Sequence, residues 1–462
     1  MPDSNGLTGR QQFFLQSLFP GEDYLDAPER ACVYGTDASR LFALPWAVVR
    51  PREPGQVREL LRWAQQERIP VFPRARGTNV VGGCVPQGGG VVVSCLGLDR
   101  ILEINEEDFT AQVEPGVVTG DFQAMLRNRA LYYPPDPASA RFSTLGGNAA
   151  TCAGGMRAVK YGVTRDYVLG IEAVLPGGEF IHTGARTHKN VAGLDLTRLL
   201  VGSAGTLAFF TKLTLKLLPL PPAQSTLMVG FGSLEQALAA SAAVFQAGIL
   251  PVAMELMPRE TLDCVARVVA APWPQNTNAL LLLKHDGRPE GLREELVLTR
   301  RALEGVGPCF LVEARDPAEE DRLWEYRRLI NPASFRLGTD KISEDVTLPR
   351  SKVAEGIAGI REVGRGHEVS VLTFGHLGDG NIHTNIMFDR DDQRQSRAAA
   401  AAHDQILDLV LRLGGVLSGE HGLGLTKRKY LERQVGPVER GLFVLIKKAF
   451  DPCGIMNPGK AY

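Results

Sequence analysis

The stretch FGHLGDGNIHTN (374–385) has two histidines, His376 and His383, on either side of the turn-forming sequence Gly-Asp-Gly-Asn. Apolar residues precede it, and Ile386, Met387 and Phe388 follow it. Apolar runs on both sides of a Gly/Asn/Asp cluster predict two strands joined by a tight turn. Because the histidines flank that turn, we expect their rings to converge.

A carboxylate for the same site lies downstream in Ser-Gly-Glu-His-Gly (418–422). His376, His383 and Glu420 would make an open metal site, which suits Zn²⁺, with Mn²⁺ or Fe²⁺ as alternatives. A metal there would lower the pKa of a substrate hydroxyl, and His421 would serve as general base. The competing interpretation is that the two histidines only make hydrogen bonds in a polar turn.

A further group of candidate residues is cationic. Arg327 and Arg328 occur in WEYRRLINPASF, and Lys341 occurs in DKISEDVTLPR. One arginine and Lys341 would bind a substrate carboxylate if both pointed into one cavity. The alternative is a solvated, charged surface.

Two glycine-rich stretches lie in the first half of the chain. PRARGTNVVGG (73–83) contains Arg74 and Arg76, and STLGGNAATCAGG (143–155) contains mostly small residues. Neither has the pattern of a Rossmann or Walker motif. Glycines that let backbone N–H groups approach a phosphate, together with two arginines, predict a cofactor with a diphosphate. The alternative is that both stretches only turn the chain.

The length of 462 residues and a break at Pro-Leu-Pro-Pro (219–222) predict at least two domains. The first alternates helices and strands. The second is predicted to be an antiparallel sheet with helices on one face.

A net charge of −1 gives no reason to expect nucleic acid or an anionic membrane as partner. Seven dispersed cysteines predict reduced thiols in a cytoplasmic protein without an iron–sulfur cluster. Neither a signal peptide nor a membrane span is predicted.

Taken in order, these motifs resemble the FAD-linked D-2-hydroxyacid dehydrogenase family, which includes D-lactate dehydrogenases and the glycolate oxidase catalytic subunit. LDLTRLLVGSAGTLAFFT, SGEHGLGLTKRKYL and DPCGIMNPGK extend the resemblance over roughly residues 35–460. It implies an α+β fold with three parts: a vanillyl-alcohol-oxidase (PCMH-type) FAD-binding domain at 1–220, an antiparallel cap domain with the metal site at 221–425, and a C-terminal segment at 426–462 that returns to the FAD domain.

The resemblance also implies roles for individual residues. His376, His383 and Glu420 match metal ligands, His421 matches the base, and Arg327, Lys341 and Asn385 match residues around the substrate. The residues that match FAD contacts are Pro73, Arg74, Ala75, Arg76, Gly77, Thr78, Asn79, Gly82, Gly83, Pro135, Asp136, Ser139, Thr144, Gly146, Gly147, Asn148, Ala150, Thr151, Gly154, Gly155, Gly205, Thr206 and Asn457.

Two positions depart from the family pattern. Ala204 replaces a usual Glu, which alters a local hydrogen bond, and Asn331 replaces a Thr of the 2-hydroxyglutarate branch. We therefore expect a substrate without a second carboxylate, D-lactate first and glycolate next. No cysteine matches one that attaches flavin covalently, so FAD is expected to be non-covalent.

The implied activity is oxidation of a small D-2-hydroxy acid by hydride transfer to FAD. The electrons would pass to a partner, either an iron–sulfur subunit, an electron-transferring flavoprotein or a cytochrome, which could also bring the chain to a membrane. A homodimer stays open. Two alternatives are a catalytically silent flavoprotein that relays electrons in a complex, and a metal-dependent hydrolase with structural glycine loops.

Overall fold

The structure is a computed structural model that describes residues 6–460, and it divides the chain into two compact units. The first unit contains the described residues up to Gly154, then Val163–Leu220, and the segment that begins at Glu420. The second contains Gly155–Gly162 and Pro221–Gly419. This division differs from the predicted domains because 155–162 joins the second unit and 420–425 joins the first.

The first unit is built from short helices and strands. Its helices are Gly9–Leu18 (α1), Pro28–Ala31 (α2), Pro54–Glu67 (α3), Thr119–Arg127 (α4), Leu145–Thr151 (α5), Leu196–Leu200 (α7), Leu431–Gln434 (α15) and Pro437–Phe450 (α16). Its strands are Tyr24–Leu25 (β1), Ala47–Val49 (β2), Val71–Arg74 (β3), Val91–Ser94 (β4), Ile101–Asn105 (β5), Thr110–Val113 (β6), Leu131–Tyr132 (β7), Val168–Val174 (β8), Phe180–Gly184 (β9), Phe209–Lys216 (β10) and Leu218–Pro219 (β11).

These strands form three sheets with the orders β1-β2-β4-β3, β5-β6-β10-β8-β9 and β11-β7. Strands β2, β3 and β4 are parallel, and the five-stranded sheet is antiparallel. Helix α3 buries Val57, Leu60, Leu61 and Ala64, which recur at helical spacing, against the core of this unit. The parallel pairing explains why the valine run of β4 is buried on both faces.

Two details of this unit differ from the sequence interpretation. The centre of STLGGNAATCAGG is a helix, α5, because the Thr144 hydroxyl accepts a hydrogen bond from the Gly147 N–H at 3.2 Å and caps it. The alternating apolar and polar residues of 204–218 predict a strand over that whole segment, but the strand begins only at Phe209. Before it, the chain turns at Ala204, which has a φ of 55°, and the Thr206 N–H donates to the Ser203 carbonyl.

The second unit contains a larger sheet. Its helices are Ala158–Tyr161 (α6), Leu234–Gln246 (α8), Arg259–Ala266 (α9), Pro289–Glu304 (α10), Pro317–Arg328 (α11), Ile330–Ser334 (α12), Val353–Gly366 (α13) and Gln393–Arg412 (α14). Its strands are Ala223–Phe231 (β12), Ala253–Pro258 (β13), Ala279–Gly287 (β14), Phe310–Glu313 (β15), Asp340–Thr347 (β16), Ser370–His376 (β17) and Asn381–Phe388 (β18).

These seven strands have the order β15-β12-β14-β13-β17-β18-β16 and are antiparallel throughout. The prediction of helices on one face is wrong. Leu372 packs in the same core cluster as residues of α9 and α11, whereas its neighbour Val371 lies against Gly364 of α13. Because neighbouring strand residues point to opposite faces, helices cover both faces of the sheet.

Residues 155–162 are fixed to this sheet by side chains. The Lys160 ammonium and the Tyr161 hydroxyl each donate to the Asp286 carboxylate at 2.7 Å. Asp286 lies in β14, so this short excursion of the chain belongs to the second unit. None of the helices between residues 6 and 460 has the length and hydropathy of a bilayer span.

Candidate FAD cavity and candidate metal centre

The first unit contains a cavity of about 620 Å³. The predicted cofactor contacts that line it are Pro73, Arg74, Ala75, Gly77, Thr78, Asn79, Gly83, Ser139, Thr144, Gly146, Gly147, Asn148, Ala150, Thr151, Gly154 and Gly205. Most have small side chains, so the walls consist largely of backbone. At Gly146, a Cβ atom would lie 2.3 Å from Cβ of Pro115 and 2.7 Å from its carbonyl oxygen. Such a wall leaves room for an extended ligand and offers it backbone groups to bind.

Other predicted contacts lie elsewhere. Arg76, Gly82, Pro135, Asp136, Thr206 and Asn457 are not among the residues that line this cavity, and Gly155 belongs to the second unit. The cavity also has apolar walls that the sequence interpretation missed, formed by Val81, Phe209, Phe210, Leu431 and Phe443. The two helical residues of that set come from the C-terminal segment, far from the glycine-rich loops in sequence.

Two predicted contacts hold the cavity loops together. The Arg74 guanidinium donates to the carbonyl oxygens of Val33, Tyr34 and Thr36. The Asn457 side-chain amide donates to the carbonyl oxygens of Gly83 at 2.9 Å and Ala204 at 2.7 Å. Both side chains therefore brace the backbone around the cavity. Their direct contact with a cofactor stays a prediction.

Two thiols line the cavity. Burial raises the pKa of Cys84 to about 11 and that of Cys95 to about 12. Because the thiolate is the nucleophilic form of cysteine, both side chains are poor candidates for covalent attachment of a ligand.

Glu420 and His421 also line this cavity of the first unit. A side chain larger than hydrogen at position 154 would come within 3.3 Å of Glu420 Cγ and Oε1, so Gly154 makes room for the carboxylate. The His421 carbonyl accepts a hydrogen bond from the Asn79 amide at 3.1 Å, which fixes this segment to the first glycine-rich loop.

The predicted hairpin of the second unit is confirmed, because β17 and β18 pair in antiparallel register around residues 377–380. His383 lies opposite Phe374, two residues before His376 along β17. Paired residues share a face, as do residues two apart in one strand. The register therefore places both histidines on the same face of the sheet.

We call the sheet face that carries His376 and His383 the functional face. The same register extends this face over the neighbouring strands. Glu255 of β13 lies opposite His376, and Asn385 lies two residues beyond His383 in β18. In β16, Lys341 alternates onto the same face, because Ser343 lies opposite Asn385. Side chains from four strands thus converge because the sheet is in register.

The two imidazoles face each other with 3.3 Å between their Nε2 atoms. Nδ1 of His376 contacts Oε1 of Glu255, and the other carboxylate oxygen accepts from Nε of Arg327 at 2.6 Å. Burial alone would raise the pKa of Glu255, but the adjacent His376 imidazole and Arg327 guanidinium hold that pKa well below its ordinary value. Because Nδ1 of His376 is engaged by Glu255, that ring directs Nε2 towards Nε2 of His383, an arrangement that suits a divalent metal.

A second polar group lies on the same face. Nζ of Lys341 contacts Oδ1 of Asn331 and lies 3.5 Å from Oδ1 of Asn385. The Ser343 hydroxyl donates to the same Asn385 oxygen at 2.6 Å. Arg327 lies over the Phe374 ring, with Cζ 4.7 Å from the centroid, whereas its neighbour Arg328 pairs with Asp321 at the surface. Of the two arginines, only Arg327 joins the functional face.

Glu255 was missed by the sequence interpretation. It is the single charged residue in the strand AMELMP, and its side chain is fully buried. A carboxylate in an apolar strand is costly to bury unless it is paired. A single glutamate in such a strand therefore indicates a buried partner, and this was the signal in the sequence that could have identified Glu255.

Two family models match the chain. The "FAD binding domain" model matches residues 45–184, and the "FAD linked oxidases, C-terminal domain" model matches residues 220–461. Glycolate oxidase subunit GlcD of Bacillus subtilis is 36% identical over 442 residues, which cover 96% of this chain and 94% of that protein. D-lactate dehydrogenase of Anaerostipes hadrus is 34% identical and covers 90% of each chain. D-2-hydroxyglutarate dehydrogenase of Stutzerimonas stutzeri is 33% identical and covers 96% of each.

Solved structures show the same fold. A substrate-bound p-cresol methylhydroxylase has a TM-score of 0.82 at 18% identity, covering 99% of this chain and 98% of that one. A 4-ethylphenol oxidase from Gulosibacter chungangensis has a TM-score of 0.78 at 19% identity, covering 100% and 98%. The fold is therefore that of the vanillyl-alcohol-oxidase (PCMH-type) flavoproteins, as predicted, and the chain is an FAD-dependent oxidoreductase. It belongs to the FAD-linked D-2-hydroxyacid dehydrogenase family.

Proposed function

We propose that this protein oxidises a small D-2-hydroxy acid, D-lactate first and glycolate next, to the 2-oxo acid. The observation that carries the proposal is the functional face of the second unit, which combines two facing imidazoles with Arg327, Lys341 and Asn385. An electron-relay protein needs neither a carboxylate clamp nor a pair of imidazoles. FAD supplies the two-electron acceptor for the hydrogen on the substrate Cα.

The chain's own residues carry the remaining steps. The Arg327 guanidinium and Lys341 ammonium bind the substrate carboxylate through charge-assisted hydrogen bonds. Asn331, in contact with Lys341, is a neutral amide that offers no charge to a second carboxylate, which supports a monocarboxylate substrate. His421 accepts the hydroxyl proton.

His376 and His383 would hold a divalent metal, with Glu420 as third ligand. Glu420 follows directly after Gly419, the last residue of the second unit. When bound, the metal supplies positive charge next to the substrate hydroxyl; Zn²⁺ is the first candidate, and Mn²⁺ and Fe²⁺ suit the same ligands.

FAD in the first unit is proposed to be non-covalent, which the raised pKa values of the Cys84 and Cys95 thiols support. Reduced FAD is reoxidised by an electron-acceptor protein, either an iron–sulfur subunit, an electron-transferring flavoprotein or a cytochrome.

The test is anaerobic stopped-flow reduction of the purified, FAD-loaded protein by D-lactate, glycolate, D-2-hydroxyglutarate and L-lactate. We expect bleaching of the flavin with D-lactate fastest. His421→Asn should slow bleaching by a factor of about 10²–10⁴ while FAD stays bound, because a general base contributes about that much. If no 2-hydroxy acid bleaches the flavin of the metal-loaded protein, the proposal is wrong.

A further inference from the structure

Glu255 connects two parts of the functional face that have separate proposed tasks. It lies in the central strand β13, between β14 and β17, and its side chain is fully buried. One carboxylate oxygen contacts Nδ1 of His376 and the other accepts from Nε of Arg327 at 2.6 Å. A single carboxylate thus spans a proposed metal ligand and the proposed substrate clamp.

The contact with His376 determines which nitrogen that ring offers. A carboxylate at Nδ1 keeps the proton on that atom, so Nε2 carries the lone pair. Nε2 is the atom that lies 3.3 Å from Nε2 of His383. Metal-ligating histidines typically donate their other ring N–H to a carboxylate or carbonyl, which fixes the tautomer and the ring orientation.

The contact with Arg327 fixes the guanidinium in a similar way. Glu255 engages Nε, and the Phe374 ring packs against the guanidinium with Cζ 4.7 Å from its centroid. These two contacts limit the rotation of a long side chain and present its terminal nitrogens as a bidentate donor pair for a carboxylate ligand.

We propose that Glu255 is a positioning residue that orients both the metal ligand His376 and the substrate-binding Arg327. The inference rests on the proposed function, since it takes their roles from there. It makes metal affinity and the KM for the 2-hydroxy acid depend on one carboxylate, whereas a purely structural ion pair would affect only stability.

The experiment compares Glu255→Gln with a matched control, Glu344→Gln, in the full-length, FAD-loaded protein. Glu344 is also buried and also paired with a histidine, His403 of α14. It lies opposite Thr384, so it points to the other face of the sheet from His383. Zn²⁺ affinity is measured by competition with a chromogenic chelator, and KM and kcat by flavin reduction with D-lactate. FAD content and the thermal midpoint report folding.

Glu255→Gln should weaken Zn²⁺ binding about 10- to 100-fold, the usual effect of losing such a partner of a metal ligand. It should also raise the KM for D-lactate roughly tenfold, because the charged partner of Arg327 is lost. Glu344→Gln should change both quantities less than about twofold at an equal loss of thermal stability, and FAD content should not change in either variant.

If Glu255→Gln matches Glu344→Gln in Zn²⁺ affinity and KM, or if the wild-type protein binds no metal, the inference is wrong. A wild-type protein that binds Zn²⁺ but reduces its flavin with no 2-hydroxy acid refutes the proposed function alone, and the Zn²⁺ comparison still decides the role of Glu255. Should Glu255→Gln not fold, Glu255→Asp keeps the charge on a shorter stem. Full Zn²⁺ affinity and an unchanged KM in that variant would also refute the inference.

Discussion

The cavity of the first unit and the functional face of the second differ in the chemical groups that form them. Backbone and small side chains such as Gly146, Gly147 and Ala150 form the cavity wall. Imidazole, carboxylate and ammonium groups on a sheet in strict register form the functional face, together with the Arg327 guanidinium of helix α11. The cavity should therefore lose FAD affinity when atoms are added to its wall. The functional face should lose metal affinity when a functional group is removed.

The largest effect is expected from removal of a proposed metal ligand. His383→Ala should weaken Zn²⁺ binding more than about 100-fold, beyond what loss of an outer partner costs, and should slow flavin reduction by D-lactate. FAD content should not change, because the cavity proposed to hold FAD lies in the first unit. The measurements are metal analysis after dialysis and stopped-flow reduction.

His403→Ala is the matched control for that substitution. His403 pairs with Glu344 on the opposite face of the sheet and should keep full Zn²⁺ affinity. Equal metal loss in both variants would mean that the hairpin responds to general destabilisation, and the contrast between the two sites would not hold.

The converse change adds one methyl group to the cavity wall. In Gly146→Ala, the new Cβ would lie 2.3 Å from Cβ of Pro115, so the backbone must move. Overpacking of this kind costs about 1–3 kcal/mol, which corresponds to FAD affinity weaker by roughly 5- to 150-fold. Zn²⁺ affinity should stay at the wild-type value. FAD affinity follows from titration of the apoprotein by flavin fluorescence quenching.

Gly55→Ala separates the clash from the chemistry of the substitution. Gly55 lies in α3, and nothing lies within 4 Å of where its Cβ would be. We expect normal FAD affinity and about 0.5–1 kcal/mol of added stability, as for Gly→Ala in a helix. Loss of FAD from both variants would show that the close approach at Pro115 is not what matters.

The same contrast between local backbone and long-range side-chain contacts explains how much of each region could be predicted from the sequence. The glycine-rich loops carry their signal locally, so the cavity was predicted from two short stretches. The bracing contacts of Arg74 were not predictable, because its carbonyl partners at Val33, Tyr34 and Thr36 are about forty residues away. The sequence of α5 does not predict a helix, because its glycines and asparagine are poor helix formers, and the Thr144 cap decides otherwise.

In the second unit, local pattern was sufficient for the hairpin but not for what surrounds it. The order β13-β17-β18-β16 brings together strands up to about 130 residues apart, which no local periodicity indicates. Glu255 joins His376 only through that pairing, and the helices on both faces follow from strands buried on both sides. Individual strands were therefore predictable, whereas their neighbours and the carboxylate partner of His376 were not.

The smallest effect is expected at Lys460, a buried charged side chain of the first unit. The Lys460 ammonium donates to the Val85 carbonyl at 2.7 Å, and burial lowers its pKa from 10.5 to about 8. Above pH 8 the folded state holds fewer protons on this group than the unfolded state, so the cost of burying the charge is present at pH 7 and disappears as the pH approaches 10.5.

Lys460→Met removes this cost of burying the charge. Its unfolding free energy relative to wild type should therefore fall by roughly 2 kcal/mol between pH 7 and pH 10. Urea unfolding followed by flavin fluorescence measures this, with the exposed Lys448→Met as control. If the difference in unfolding free energy between Lys460→Met and wild type does not change with pH, the prediction is wrong. Lys460 would then be neutral in the folded protein throughout this range, or charged without a penalty. Its contact with Val85 would act only as a hydrogen bond.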